Sequence, residues 1–318
     1  MKIVVLDGYA LNPGDNPWGA VAELGDLVVH DRTVPGEVVG RAADAEIILT
    51  NKTPLDGPLL ARLPCLQFVS VLATGYNIVD VVAARGRGIV VSNVPEYATD
   101  SVAQHVFAMV LHFVQRCQRL DQLIRDGEWL RRGDFCFWDA PLTELAGKQM
   151  GIVGFGRIGR RVGRLAHAFG MSVAAVDVAR HDAPGYKPFS WQSLEAIFSE
   201  SDVVTLHCPQ TASTAQLVNR QLLSRMKRTA LLINASRGGL VNELDLADAL
   251  NRGEIAGAAV DVLSAEPASL DHPLLRARNC LVTPHVAWAT VEARRRLMAV
   301  TAHNIAAFLR GHPENVVN

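Results

Sequence analysis

Short apolar runs alternate with amphipathic segments along the 318 residues of this chain. Runs at Ile3–Leu6, Leu27–Val29, Ile47–Leu49, Leu66–Leu72 and Ile89–Ser92 read as strands. Segments with helical spacing lie between them, at Val38–Ala43, Gly57–Arg62 and Val79–Arg85. Alternation of this kind predicts a mostly parallel sheet with helices on its faces. Pro95 punctuates the end of this first stretch, and no internal repeat or low-complexity segment is visible.

After Pro95, Ser101-x-x-Gln104 reads as a capping box opening a long helix. That helix is apolar on two sides, Val102, Val106, Val110 and Phe113 on one and Ala103, Phe107, Leu111 and Val114 on the other. So wide an apolar surface predicts burial against a second subunit or within the chain's own core. Asp126–Leu145 is irregular and aromatic, with Trp129, Phe135, Phe137 and Trp138, and reads either as an arm on a neighbouring subunit or as ordinary loop packing. Alternation then resumes. Strands are expected at Val203–His207, Ala230–Asn234, Ile255–Val262 and Leu281–Thr283, and helices at Leu194–Phe198, Leu222–Met226 and Leu244–Leu250. A last helix, Val291–Leu309, takes Thr290 as its N-cap and is closed by Gly311 and Pro313.

The most informative stretch is Gly147–Asp177. The apolar run Met150–Val153 opens into Gly154-x-Gly156-x-x-Gly159, and a helix with apolar Val162, Leu165, Ala166 and Phe169 follows. Gly170 ends that helix, and the strand Ser172–Val176 carries Asp177 at its tip, eighteen residues past Gly159. Strand, glycine turn, helix, strand and acid, in that order, is what a dinucleotide-binding βαβ unit requires. Gly154 permits the tight turn, Gly156 lets backbone N–H groups approach a pyrophosphate, and Gly159 lets the helix pack close. A carboxylate at Asp177 accepts hydrogen bonds from ribose hydroxyls and repels a 2′-phosphate, which favours NAD over NADP. Arg180 nearby is read as a solvated loop residue.

Composition excludes several other readings. The formal net charge is −1, with Lys and Arg scattered, so no basic stripe suits a nucleic-acid partner. The opening MKIVVLDG is too short in apolar residues for a signal peptide, and Val102–Val114 is interrupted by Gln104, His105 and His112, so no membrane span is expected. Five widely spaced cysteines (65, 117, 136, 208 and 280) without a CxxC fit reduced thiols in a cytoplasm rather than disulfides or a metal site.

Three polar residues follow expected strands, where open α/β sheets place ligands: Arg237 in Asn-Ala-Ser-Arg-Gly-Gly, Glu266 in Asp-Val-Leu-Ser-Ala-Glu-Pro, and His285 in Thr-Pro-His-Val-Ala-Trp. Moving a hydride to a carbonyl beside a carboxylate needs a cation for the carboxylate and a proton donor for the new hydroxyl. Arginine supplies a planar fork, histidine titrates near neutrality, and a glutamate orients the imidazole. Singly, each has an ordinary structural reading: a surface arginine, a turn glutamate, a core histidine.

Together with Ala73-Thr74-Gly75-Tyr76-Asn77 and Asp80, Ser101-Val102-Ala103-Gln104, the glycine turn, and His207-Cys208-Pro209 with Thr214, they resemble the D-isomer-specific 2-hydroxyacid dehydrogenase family. Within it the nearest likeness is to glycerate dehydrogenases (hydroxypyruvate reductases), carried by Leu-Asp-Gly-Tyr-Ala-Leu-Asn-Pro-Gly-Asp, Ala-Thr-Gly-Tyr-Asn and Pro-His-Val-Ala-Trp-Ala-Thr. The resemblance implies an α/β fold of two Rossmann-like, doubly wound parallel-sheet domains with a cleft between them. A discontinuous substrate domain would take residues 1–97 and 287–318, and an NAD-binding domain residues 98–286. It implies further that Arg237 holds the substrate carboxylate and ketone oxygen, and that His285, paired with Glu266, is the acid in reduction and the base in oxidation. Backbone N–H groups around Ala73, Thr74 and Gly75 would grip the carboxylate. Gly154, Gly156, Arg157 and Ile158 would meet the pyrophosphate, Asp177 the ribose, and Cys208, Pro209, Thr214, Ala235 and Asp261 the rest of the cofactor. No metal is implied.

The expected reaction interconverts a small 2-oxo acid and its D-2-hydroxy acid, hydroxypyruvate or glyoxylate with D-glycerate or glycolate. A homodimer is implied too, which favours the subunit-interface reading of Val102–Val114. Two alternatives share these motifs: a phosphite dehydrogenase-like enzyme, and an NAD-sensing, corepressor-like binding protein.

Overall fold

The computed structural model describes residues 1–179 and 182–318, so Arg180 lies outside the described residues. These residues form two units, Met1–Ala98 with Ala289–Asn318, and Thr99–Trp288.

In the first unit, strands β1 (Lys2–Val5), β2 (Asp26–Val29), β3 (Ile47–Thr50), β4 (Phe68–Val71) and β5 (Val90–Ser92) pair in parallel in the order β2-β1-β3-β4-β5. β3 and β4 are buried along their whole length, which is why they read as continuous apolar runs rather than alternating ones. The terminal helix Val291–Leu309 belongs to this unit. Thr290 caps it by accepting the Ala293 N–H, and Phe308 stacks on Phe68 of β4 with centroids 4.6 Å apart.

In the second unit, β6 (Gln149–Val153), β7 (Ser172–Val176), β8 (Phe189–Trp191), β9 (Val203–Leu206), β10 (Leu231–Asn234), β11 (Gly257–Val260) and β12 (Cys280–Val282) form one parallel sheet. Its order is β12-β11-β10-β9-β6-β7-β8, and the strand sequence reverses between β6 and β9. That reversal is the topological switch point at which doubly wound sheets bind ligands. The fold is therefore α/β with two parallel sheets.

The structure departs from the sequence reading in several places and bears on one reading left open. The long helix spans Thr99–Gln115, so Ser101 sits inside its first turn and donates its hydroxyl to the Ala287 carbonyl (2.5 Å) instead of opening a capping box. Of the two readings of that helix, its own core takes Val106 and Val110 on one side and Ala103, Phe107 and Val114 on the other, all buried within the unit, while Phe113 and Leu111 on the same two sides are only half-buried. The helix expected at Leu222–Met226 is Arg220–Leu223, because Asn219 accepts the Gln221 and Leu222 N–H groups and starts it earlier. Strand β8 was not expected. It is three residues long, too short for a period, and Phe189 and Trp191 hold it by packing on Phe155 at 5.1 and 5.4 Å.

Candidate active site

β6 runs into the glycine turn at the switch point. Gly154 has φ +91°, and a Cβ there would lie 2.5 Å from the backbone nitrogen of Cys208, which follows β9. A Cβ on Gly159 would lie 2.2 Å from the Gly154 carbonyl oxygen. The helix Arg157–Ala168 can thus begin against the strand end, and among the described residues no side chain caps its N-terminus. At Gly156 a Cβ would meet none of the described residues within 4 Å, so among them this glycine faces open space in front of the helix end. Arg157 is exposed there, while Ile158 packs on the core beneath.

Asp177 follows β7 and serves the turn directly. Its Oδ2 accepts the Phe155 N–H at 2.6 Å and its Oδ1 the Ala179 N–H at 3.2 Å. On the neighbouring strand end, the Cys208 carbonyl accepts the Ser236 hydroxyl (2.8 Å), and burial pushes the Cys208 thiol up from its ordinary range. The Thr214 hydroxyl donates to the Pro209 carbonyl and accepts the Thr211 N–H, both at 2.7 Å, and so shapes the loop after β9. Ala235, half-buried, packs on the core side of the β10 end. His207 faces the Thr205 hydroxyl at 3.0 Å, and burial lowers its pKa to about 3, keeping the ring neutral.

Glu266 and His285 meet, with His285 Nδ1 2.7 Å from Glu266 Oε2. The other glutamate oxygen accepts the Leu263 N–H at 3.1 Å. His285 has φ +55°, a left-handed conformation rare for a residue with a side chain. Asp261 holds it there. The Asp261 carbonyl accepts the His285 N–H (2.7 Å), and its buried carboxylate accepts the N–H groups of Val286 (2.9 Å) and Ala287 (2.8 Å) and the Thr283 hydroxyl (2.6 Å). Burial would raise the Asp261 pKa, but the bonds from His105, Thr283, Ala287 and Val286 outweigh it and hold the carboxyl below its usual range. His105 itself lies 3.1 Å from the Thr283 hydroxyl.

Arg237 is exposed at the end of β10. Asn234 fixes its backbone, its Nδ2 donating to the Arg237 carbonyl (2.9 Å) and its Oδ1 accepting the Ser236 N–H (3.1 Å). The guanidinium donates to the Ser236 carbonyl at 2.7 Å and makes no ion pair among the described residues. It is bonded to neither Glu266 nor His285 and is left as an uncommitted cation. Ala73, Thr74 and Gly75 follow β4 in the first unit. The Thr74 hydroxyl donates to the Val94 carbonyl (2.9 Å) and Asn93 Nδ2 donates to the Thr74 carbonyl (2.7 Å). Among the described residues, the N–H groups of Thr74 and Gly75 meet no protein acceptor.

Residues 107–287 match the family description "D-isomer specific 2-hydroxyacid dehydrogenase, NAD binding domain". Over its whole length the chain is 46% identical to a hydroxypyruvate reductase of Blautia hydrogenotrophica, covering 100% of both proteins. It is 40% identical to a glycerate dehydrogenase of Methylorubrum extorquens, covering 99% of this chain and 98% of that protein. Among solved structures, it resembles an NADPH-dependent glyoxylate/hydroxypyruvate reductase from Sinorhizobium meliloti in complex with NADP and malonate. That likeness has a TM-score of 0.84, 32% identity, and coverage of 99% and 96% of the two chains. The chain belongs to the D-isomer specific 2-hydroxyacid dehydrogenase family. Its members are nicotinamide-dependent enzymes that interconvert 2-oxo and 2-hydroxy acids.

The residues present fit the nicotinamide dinucleotide this family uses. Two glycines are required by backbone contact, and among the described residues a third opens onto free space and no side chain caps the helix N-terminus, which offers donors and partial positive charge to phosphates. Sequence reasoning missed the supports behind the site: Asn234 under Arg237, His105 beside the Asp261 clamp, and the clamping role of Asp261 itself. His105 alone left a signal, as a polar residue within an apolar helix.

Proposed function

We propose that this chain is an NAD(H)-dependent D-2-hydroxyacid dehydrogenase whose preferred reaction is reduction of hydroxypyruvate to D-glycerate, with glyoxylate as a second substrate. The observation that carries the chemistry is the 2.7 Å pairing of His285 with Glu266. Glu266 occupies Nδ1 and orients the ring, which leaves Nε2 for substrate. His285 gives its proton to the C2 oxygen of the 2-oxo acid in reduction and takes it back in oxidation. The nicotinamide supplies the hydride that C2 gains. Arg237, with no ion-pair partner among the described residues, holds the substrate carboxylate with its fork, and the unbonded Thr74 and Gly75 N–H groups of the first unit are donors suited to a carboxylate. Gly154, Gly156, Arg157 and Ile158 hold the pyrophosphate, and Cys208, Pro209, Thr214 and Ala235 line the rest of the cofactor site. Asp261 acts through the His285 segment.

NAD is favoured over NADP because Asp177 keeps a carboxylate fixed at the tip of β7. Identity to hydroxypyruvate and glycerate enzymes along the whole chain supports the choice of substrate. The first unit, expected at residues 1–97 and 287–318 and found at Met1–Ala98 with Ala289–Asn318, is assigned to substrate, and the second, Thr99–Trp288, to cofactor. The free thiols of Cys65, Cys117, Cys136, Cys208 and Cys280 favour a reducing, cytoplasmic compartment. A homodimer is favoured by the exposed Trp129, Leu130, Phe135, Trp138 and Leu142, which a second copy would cover.

The test follows NADH absorbance with hydroxypyruvate, glyoxylate, pyruvate and 2-oxoisocaproate, and NAD reduction with phosphite. Hydroxypyruvate is expected to turn over fastest and glyoxylate more slowly. A different 2-oxo acid ahead of both overturns the substrate assignment. Silence across the panel with NADH still bound overturns the enzyme reading in favour of cofactor sensing.

A further inference from the structure

The loop that carries Glu266 is solvent-facing, with Ser264, Ala265, Glu266 and Pro267 all exposed, so packing alone does not fix it. It is nonetheless tied down from outside. Glu243 opens the helix Glu243–Arg252, six residues after Arg237, and turns its carboxylate onto the loop. Glu243 Oε1 accepts the Ser264 N–H at 2.7 Å, and Oε2 accepts the Ser264 hydroxyl at 2.5 Å. Oε2 also lies 3.2 Å from His272 Nε2 at the far end of the same loop. His272 Nδ1 accepts the Leu274 N–H (3.3 Å), which places the ring proton on Nε2, facing Glu243. Both members of the Glu243–His272 pair are nearly buried, with side-chain exposures of 13% and 10%.

Three donors therefore converge on one carboxylate, and they come from both ends of the loop that presents Glu266. A third fastening lies beside them. Gly238, next to Arg237, sits so close that a Cβ there would lie 1.9 Å from the Leu263 carbonyl carbon. Leu263 is the residue whose N–H fixes the second oxygen of Glu266.

We propose that Glu243 is a positioning residue for Glu266. By gripping Ser264 and His272 it holds the loop at the height where Glu266 reaches His285, and it links that loop to the segment bearing Arg237. The proposal rests on Glu266 and His285 acting as the pair described above. Only a carboxylate accepts all three donors: a glutamine has one acceptor oxygen and turns an N–H toward at least one of them.

The experiment compares kcat and KM for hydroxypyruvate with NADH in the full chain and in E243A, E243Q, E266Q and E243A/E266Q. E243A should lower kcat by roughly 10- to 100-fold, the effect of misplacing a catalytic group, with KM and NADH affinity changed less than about threefold. E243Q should fall between it and the parent. If E243A fails to fold, E243Q combined with E266Q is read in the same way. The pH–rate profile of E243A should move in the same direction as that of E266Q. In the E266Q background the Glu243 substitution should cost less than about twofold, because the group it positions is already disabled. With no ligand present, amide exchange at Leu263 and Ser264 should quicken in E243A. An equal loss in both backgrounds, or parental kcat in E243A, overturns the proposal while leaving the Glu266 assignment in place. Parental turnover in E266Q overturns the assignment and the proposal together.

Discussion

The two sheets each have a switch point, and only one of them is shaped for a ligand. In the first unit the strand order reverses between β1 and β3, and in the second between β6 and β9. After β1 comes Asp7, whose carboxylate accepts the N–H groups of Asn51 (2.7 Å), Lys52 (2.5 Å) and Thr53 (2.8 Å) beyond β3. Those three donors could serve an anion, but the chain's own carboxylate already fills them. After β6 comes Gly154, with no side chain to fill anything, followed by a twelve-residue helix whose N-terminus no side chain caps among the described residues. After β1 there is only the short 3-10 turn Gly8–Ala10 and, later, the four-residue helix Gly19–Ala22. Strand order makes the crevice. The residue at the strand end decides whether it is plugged or open.

The largest effect should come from closing the open crevice. Gly154→Ala places a methyl 2.5 Å from the Cys208 nitrogen and forces alanine to φ +91°. Loss of NADH binding is expected, with destabilisation of about 3 kcal/mol or more by thermal unfolding. Gly156→Ala sharpens the point, since none of the described residues lies within 4 Å of its Cβ. Stability should stay within about 0.5 kcal/mol while NADH binding weakens by roughly tenfold or more. Equal loss of stability in both variants would show that Gly156, too, is only a structural turn residue.

Unplugging the closed crevice should do the reverse. Asp7→Asn leaves three N–H donors with a single acceptor oxygen and should cost about 1–3 kcal/mol, with NADH affinity unchanged. A matching loss of NADH binding would break the comparison, because the first switch point would then serve the cofactor.

A smaller effect should appear with pH. His207, beside the open crevice, has a folded pKa of about 3, below the 6.5 of an unfolded histidine. The unfolded chain therefore binds more protons than the folded one between those values, so stability falls as pH drops through that window. The slope from this group is at most about 1.4 kcal/mol per pH unit. His207→Gln should flatten the acid limb of a pH-dependent unfolding curve between about pH 6 and 4. An unchanged slope would show that other groups carry it.

The parts of the molecule legible in its sequence are those decided by neighbours in the chain. Met150–Val153, the glycine turn and the Thr290 cap read correctly because their shapes follow from a few adjacent residues. So did the family, since its motifs are themselves local. Strand β8 escaped because Phe189–Trp191 is held by aromatic packing on Phe155 rather than by any period. The capping box at Ser101 misled because its hydroxyl is taken by the carbonyl of Ala287, 186 residues away. Around the candidate site, Arg237, Glu266 and His285 were recognisable as strand-end residues. What orients them was not: Asp261 reaches over Thr283–Ala287, and Glu243 grips Ser264 and His272, 21 and 29 residues further on. Pairings over such separations leave no mark on periodicity.

The central claim is that His285, oriented by Glu266, moves the proton. The most direct measurement is the turnover of His285→Ala with hydroxypyruvate and NADH, alongside an NADH titration by fluorescence. A fall in kcat of roughly 10²- to 10⁴-fold with NADH affinity nearly intact is expected, as for loss of a general acid. Turnover at the parental rate would contradict the account.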